Sequence, residues 1–278
     1  MRTNEVIVVG LDATAEAGAA LRWAVREARA RGWSLHLVHG LAAPPVDAPD
    51  DGRDRAAADA LLAEAAARAR EDGIRGVRWT VTARPPGPVL IELSEGAALL
   101  VVGARAGGAR LGRHGDSVGA HVSRFARCPV VVVPGESNQP TGRVAVNVRG
   151  DAADRSVLAF AFDQAAATRS ELEVVHAWRE PERGLDFSAL AGNLEDQHQR
   201  ASDVLVAEQL AGFASTHPDV PVRRVSLPAD PRDALLWSSA QADLLVVAAP
   251  PAGIEPPGSE LVEMIALRHS HCPVVFAR

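Results

Sequence analysis

The chain is predicted to be an α/β protein of two tandem domains, each built on a five-stranded parallel sheet, and three observations predict it. Short β-branched runs alternate with longer Ala-rich amphipathic stretches, the pattern of βαβ units. Three segments recur in the same order, offset by roughly 140 residues. They are residues 34–39 (SLHLVH) with 171–176 (ELEVVH), 98–102 (ALLVV) with 243–247 (DLLVV), and 128–132 (CPVVV) with 272–276 (CPVVF). Finally, 278 residues with 47% hydrophobic content suffice for two ordinary cores.

In the first half, strands are expected at residues 6–11, 34–40, 77–83, 99–103 and 130–133. After the first strand, Leu21, Ala24, Val25 and Ala28 share one helical face and Arg22, Arg26, Glu27 and Arg29 the other, which predicts a sheet-covering helix. A second helix runs from about Arg53 to Asp72 and stops at Gly73. Two more are expected over residues 88–95 and 117–126. The second half repeats the scheme, with strands at 144–148, 172–177, 222–227, 244–248 and 274–276. Leu158, Ala161, Phe162 and Ala165 form its first helical face, residues 180–199 read as a long loop, and a helix follows over 201–216. The turn-rich segment 134–142 (PGESNQPTG) is the expected linker, so the domains are placed at residues 1–137 and 141–278.

Composition removes several kinds of chemistry. The net charge of −6 and the lack of any long basic run argue against a nucleic-acid or membrane surface. The opening apolar run is too short for a signal sequence or a membrane span, so a cytoplasmic location is expected. The chain contains no Lys and no Tyr, which excludes a P-loop lysine, a Schiff-base lysine and a Tyr/Lys proton-transfer pair. Cys128 and Cys272 each precede a Pro and a β-branched run and read as small buried residues of separate domains, not as a disulfide.

Parallel sheets bind ligands beyond the carboxyl ends of their strands. The segments to read are therefore Gly10-Leu-Asp12-Ala-Thr14 after the first strand and Gly103-Ala-Arg105-Ala-Gly107-Gly108 after the fourth, with the helix opening near Ser117. Gly103, Arg105, Ser117, Val118, Cys128 and Pro129 fall in register with the signature of the universal stress protein family, which the chain resembles over nearly its whole length as a tandem pair. The resemblance implies strand order 3-2-1-4-5 with helices on both faces, as in adenine-nucleotide α-hydrolase-like folds. It further implies an adenosine-side contact from Asp12, a backbone contact to adenine from Val38, and phosphate contacts from Gly103, Arg105, Gly107, Ser117 and Val118. The cofactor so implied is ATP or another adenine nucleotide in the first domain. Glycine loops and helix N-termini suit phosphates because their N–H groups converge on the anion.

Two signature glycines are altered here, to Ala106 and Asp116. A carboxylate at Asp116 would oppose phosphate, and Arg105, Arg110 and Arg113 with His114 could offset it. Asp116 also reads as the N-cap of the last helix, and Asp12 as a turn-forming Asx residue. In the second half Arg149 stands where the first has Asp12, Ala248 replaces the strand-four glycine, and four prolines remove N–H donors from residues 249–259. Glu260 and Leu261 fall at the Gly-Ser position, and Ser259 reads as a helix cap. No nucleotide is expected in that half.

Gly115-Asp-Ser117-Val-Gly119 matches a nucleophile elbow in letters, but a polar stretch precedes the serine where an elbow needs a strand. His36-x-x-His39 and His269-x-His271 lack the further ligands of a zinc site. Two readings stand. The first is a non-enzymatic stress-response protein with at most weak nucleotide binding in its first domain. The second is a scaffold that keeps the fold and works through protein contacts alone, while a hydrolase remains a remote third. The resemblance implies pairing of the last strands, 130–133 with 274–276, which would cover two apolar edges. A homodimer and an unidentified regulatory partner are the other associations expected, with neither nucleic acid nor membrane.

Overall fold

The computed structural model describes residues 5–41, 52–104, 117–135, 140–178, 188–213, 215–251 and 262–278. They form two compact units, the first carrying strands one to five and the second strands six to ten.

In the first unit the strands are β1 (Val6–Gly10), β2 (Ser34–Gly40), β3 (Val77–Thr82), β4 (Leu99–Gly103) and β5 (Val130–Val133). The helices are α1 (Ala15–Arg31), α2 (Arg53–Glu71), α3 (Pro86–Ser94) and α4 (Val118–Phe125). The sheet order is β3-β2-β1-β4-β5, every neighbour parallel. That is the expected 3-2-1-4-5 arrangement. Central strands of such a sheet are covered on both faces, which is why β4 is apolar without alternation and buried at every position. β3, at the edge, leaves Arg78, Trp79 and Thr80 exposed.

Local chemistry sets the helix ends. Thr14 caps α1 by accepting the Ala17 N–H at 3.2 Å, and Gly32 ends it in the left-handed region at φ 72°. Ala24, Val25 and Ala28 turn inward as the periodicity predicts, while Leu21 of the same predicted face is only half-buried and Trp23 is buried beside them. Glu27, expected on the outer face, is instead buried and pairs with Arg31 one turn on, which keeps its charge satisfied. α3 begins at Pro86, two residues earlier than expected, because proline is well suited to the first helical turn, where an N–H has no partner anyway. Ser117, not Asp116, caps α4, accepting the Ala120 N–H at 3.2 Å.

The second unit comprises β6 (Arg143–Asn147), β7 (Glu171–Trp178), β8 (Val222–Pro228), β9 (Leu244–Ala248) and β10 (Val274–Ala277), with α5 (Asp154–Thr168), α6 (Ser188–Leu210), α7 (Pro231–Gln241) and α8 (Val262–His269). Its order, β8-β7-β6-β9-β10, repeats the first unit in parallel pairs. The face of α5 formed by Leu158, Ala161, Phe162 and Ala165 is fully inside. Here one expectation fails: residues 188–199, read as loop, are the first half of α6, and the helix ends at Leu210, short of 216. Gly192 and Asn193 are weak helix formers, and the helical context overrides them. Gly150 is favoured by its φ of 82°, in the left-handed region, and the Leu205 side chain packs directly against it.

Candidate functional site

The first candidate site lies where β1 and β2 stop pairing. Their ladder closes at Gly10 opposite Val38, and the Leu11 N–H then donates to the Val38 carbonyl at 2.9 Å. The chain next turns into α1 through Asp12, whose Oδ1 accepts the Thr14 N–H at 3.0 Å and also the Thr14 hydroxyl. Asp12 therefore makes the Asx turn expected of it while standing at the mouth of a cleft. That cleft, about 60 Å³, is bordered by Asp12, Val38 and Val118 of the predicted residues, and by Gly40, Pro86 and Leu90. His39 joins its rim, donating from Nδ1 to the Leu11 carbonyl at 2.7 Å.

Two glycines explain why this cleft is narrow. A Cβ at Gly40 would stand 2.8 Å from the Pro86 Cα and N, and one at Gly103 would stand 2.7 Å from the Glu16 carbonyl carbon and 2.9 Å from the Ala17 N. The absence of side chains lets α3 and α1 close directly on the strand ends. Gly103 thus seats the first turn of α1, and Ser117 stands at the N-terminus of α4 with its hydroxyl engaged by the helix. Arg105 and Gly107, with Ala106, Arg110, Arg113, His114 and Asp116, lie outside the described residues. So does the Ser259-Glu260-Leu261 segment.

Gly40 was missed from sequence. In a parallel ladder alternate residues of β2 turn their backbone groups toward β1, so Gly40 faces the same way as Val38 but beyond the last β1 pair. Its main chain, past that pair, is the one the ladder leaves to the cleft. The alternation of the strand and the end of its neighbour were the signals that could have found it.

The second unit holds an equivalent cleft, remade. It measures about 270 Å³. The registers place Val148 and Arg149 at the positions of Leu11 and Asp12, His176 and Ala177 at those of His39 and Gly40, and Asn147 at that of Gly10. Pro231, Leu235 and Val247 correspond to Pro86, Leu90 and Val102, while Glu263, at the position of Gly119, borders the second cleft as Val118 borders the first. The Arg149 guanidinium pairs with Glu263 and, at 3.1 Å, with Asp151. Asp154 accepts the backbone N–H of Arg149 at 3.0 Å and of Gly150 at 2.6 Å. His176 Nδ1 is 2.6 Å from the Ser202 hydroxyl, itself 2.6 Å from that of Ser226. Burial holds the His176 imidazole below its usual pKa, against the opposing pull of Asp154.

Away from the clefts, the two units differ at one more matched pair. His36 on β2 stands opposite Arg78 on β3, and Glu173 on β7 opposite Arg223 on β8. His36 Nε2 meets the Thr80 hydroxyl at 2.9 Å, and burial, helped by Arg78, lowers its pKa to about 4. Burial pushes the Glu173 carboxyl up, opposed by Arg143 and Arg223 at 3.7 and 3.4 Å. Both cysteines are buried and neither forms a disulfide, and burial pushes the Cys272 thiol up to about 12, so it is not a thiolate nucleophile at neutral pH. β4 ends at Gly103, and residues 105–116, which lead into Ser117 and would carry a nucleophile elbow, lie outside the described residues. Among the described residues no group of three His, Cys, Asp or Glu could hold a metal ion, and no helix is long and apolar enough to cross a membrane.

Comparison with known proteins matches this geometry. The universal stress protein family matches residues 3–134 and again 141–278. A universal stress protein of Mycobacterium tuberculosis is 33% identical over 270 residues, covering 88% of this chain and 87% of that protein. A second from the same organism is 29% identical across 100% of this chain and 96% of its own length. Among solved structures, a universal stress protein from Archaeoglobus fulgidus superimposes with a TM-score of 0.67 at 16% identity, covering 99% of this chain and 98% of that one, which is a likeness of fold.

Proposed function

Since the chain belongs to the universal stress protein family, we propose that its first unit binds an adenine nucleotide weakly and that the protein is a non-enzymatic stress-response regulator. The observation that carries this reading is the convergence of Asp12, Val38 and Val118, from three distant stretches of chain, on one cleft beyond the carboxyl ends of the strands. In it Asp12 serves the ribose side, the backbone of Val38 and Gly40 the base, and the N-terminus of α4 at Ser117 and Val118 the phosphates, with Gly103, Arg105 and Gly107 completing the anion contacts.

Weakness follows from size. A cavity of about 150 Å³ is what benzene occupies, and the first cleft is about 60 Å³. An adenine ring enters only if α3 moves away from Gly40, and the cost of that opening is subtracted from affinity. Non-enzymatic action is in keeping with the site's chemistry, since no nucleophile and base within hydrogen-bond reach of one another border this cleft among the described residues. The same closed cleft supports a second reading, a scaffold that works by protein contacts alone.

Calorimetric titration of the whole protein with ATP, ADP, AMP and cyclic AMP tests both, with Asp12→Ala and Arg105→Ala as controls. Weak saturable binding lost in both variants is the expected result. No heat at millimolar nucleotide would contradict it and leave the scaffold reading.

A further inference from the structure

We infer that the free edge of β8 is a docking site for an extended acidic segment of a partner protein, added to the sheet as a further strand. β8 is an edge strand of the second unit, as β3 is of the first. In a parallel ladder only alternate residues turn their backbone groups toward the neighbouring strand. The Leu172 N–H donates to the Pro221 carbonyl at 2.8 Å, with Leu172 opposite Val222 in the register. Val222, Arg224 and Ser226 therefore turn their N–H and C=O groups away from β7, toward the open side. An extended chain laid there pairs with those groups, its main chain supplying affinity and its side chains supplying choice.

The matched strand of the first unit shows a closed edge. There the registers put Val77 at the place of Val222 and Trp79 at that of Arg224. Arg70 of α2 donates to the outward Val77 carbonyl at 2.9 Å and lies over the Trp79 ring at 5.5 Å. Just past the end of β3, Arg84 pairs with Glu92 of α3 at 2.8 Å. Covering and charging an edge in this way keeps other chains from pairing with it. The second unit lacks both devices among the described residues. No side chain there bonds to the outward carbonyls of Val222 and Arg224. Counted from the prolines that open α3 and α7, Ala229 stands at the place of Arg84 and Trp237 at that of Glu92. Val222 and Trp237 are 38% and 39% exposed.

Charge selects the occupant. Arg223 and Arg224 are both exposed on β8. Arg223 reaches Glu173 at 3.4 Å, while Arg224 has no ion pair among the described residues. Two copies of this chain meeting edge to edge would set arginines against arginines, and like charges on opposed strands are destabilising. A strand bearing carboxylates meets the same two residues with complementary charge. The order Val222-Arg223-Arg224-Val225 reads the same in both directions. Its complement, Val-Glu-Glu-Val, therefore matches whether the incoming strand runs parallel or antiparallel. The β8 edge borders neither cleft, so docking there is independent of nucleotide binding.

The test is amide NMR of the full chain, labelled with nitrogen-15, during titration with the capped peptide Thr-Val-Glu-Glu-Val-Thr. Its counterpart Thr-Val-Lys-Lys-Val-Thr is titrated in parallel. Saturable shifts of the Val222, Arg224 and Ser226 amides at submillimolar acidic peptide are expected, with the basic peptide at least about tenfold weaker. Arg224→Glu, at an exposed position, should weaken the acidic peptide at least about tenfold and tighten the basic one. A second peptide, methylated at both glutamate nitrogens, leaves the protein untouched. Adjacent residues of a strand face opposite sides, so one of those nitrogens faces β8 in either direction, and binding should be lost. No saturable shift at millimolar peptide, equal response to the basic peptide, or binding that survives methylation would overturn the assignment. So would shifts of the Val77 and Trp79 amides of β3 in place of those of β8.

Discussion

The two clefts occupy the same place in the same fold, and yet the second is more than four times larger than the first. Two matched positions differ in a way that bears on this: Gly40 and Gly103 let α3 and α1 approach to distances that no Cβ permits, whereas the second unit has Ala177 and Ala248 there. Charge follows the same division. Among the described residues, the charged group bordering the first cleft is the Asp12 carboxylate, and an arginine among carboxylates marks the second. A duplicated domain can thus keep its scaffold and change the lining of its cleft by altering a few residues at strand ends.

The largest expected effect is at His36, the first-unit member of the matched pair His36 and Glu173. The pKa of His36 is about 4 in the folded protein, against roughly 6.5 unfolded. The folded state therefore favours the neutral ring. This stabilisation is complete above pH 6.5 and lost as pH falls toward 4, a change of about 3 kcal/mol. Urea denaturation across that range should show first-unit stability falling with acid, and His36→Gln should flatten the profile. A profile equally steep in the variant would assign the effect elsewhere.

Next in size is the glycine-to-alanine contrast. Gly103→Ala forces the Glu16 backbone to move and should cost the first unit about 2 kcal/mol. The reverse change, Ala248→Gly, should cost the second unit only about 1 kcal/mol, through backbone entropy. Equal losses in denaturant midpoints would break the account of cleft width. The smallest effect is at Glu173. Its carboxyl is raised by burial, so the ionised form is the disfavoured one in the folded state. Glu173→Gln should stabilise the second unit at neutral pH by about 1 kcal/mol. That gain should vanish on acidification below the ordinary carboxylate range, where the glutamate is protonated whether folded or not.

The layered fold could be read in advance because its signals are local. Continuous apolar runs such as Leu99–Gly103 mark buried parallel strands, and Thr14 and Gly32 mark the ends of α1. Elements whose propensity conflicts with their context were misread, as with Gly192 and Asn193 inside α6. Asp116 was read as the cap of α4, whereas its neighbour Ser117 fills that role, since either side chain serves equally well in sequence terms. The width of the clefts was hidden for a different reason. It depends on Gly40 meeting Pro86 and Gly103 meeting Glu16, contacts between segments far apart in the chain. The substitution of Asp12 by Arg149 was visible as a letter, but its pairing with Glu263, across 114 residues, was not.

The proposal that the first cleft, and not the second, takes the nucleotide is tested most directly by methyl NMR of the whole protein, labelled at leucine, during titration with ATP. Leu90 reports on the first cleft and Leu235 on the second. The account predicts that ATP shifts the Leu90 resonances and leaves those of Leu235 unmoved. Movement of Leu235 with ATP, at equal or lower concentration than Leu90, would contradict it.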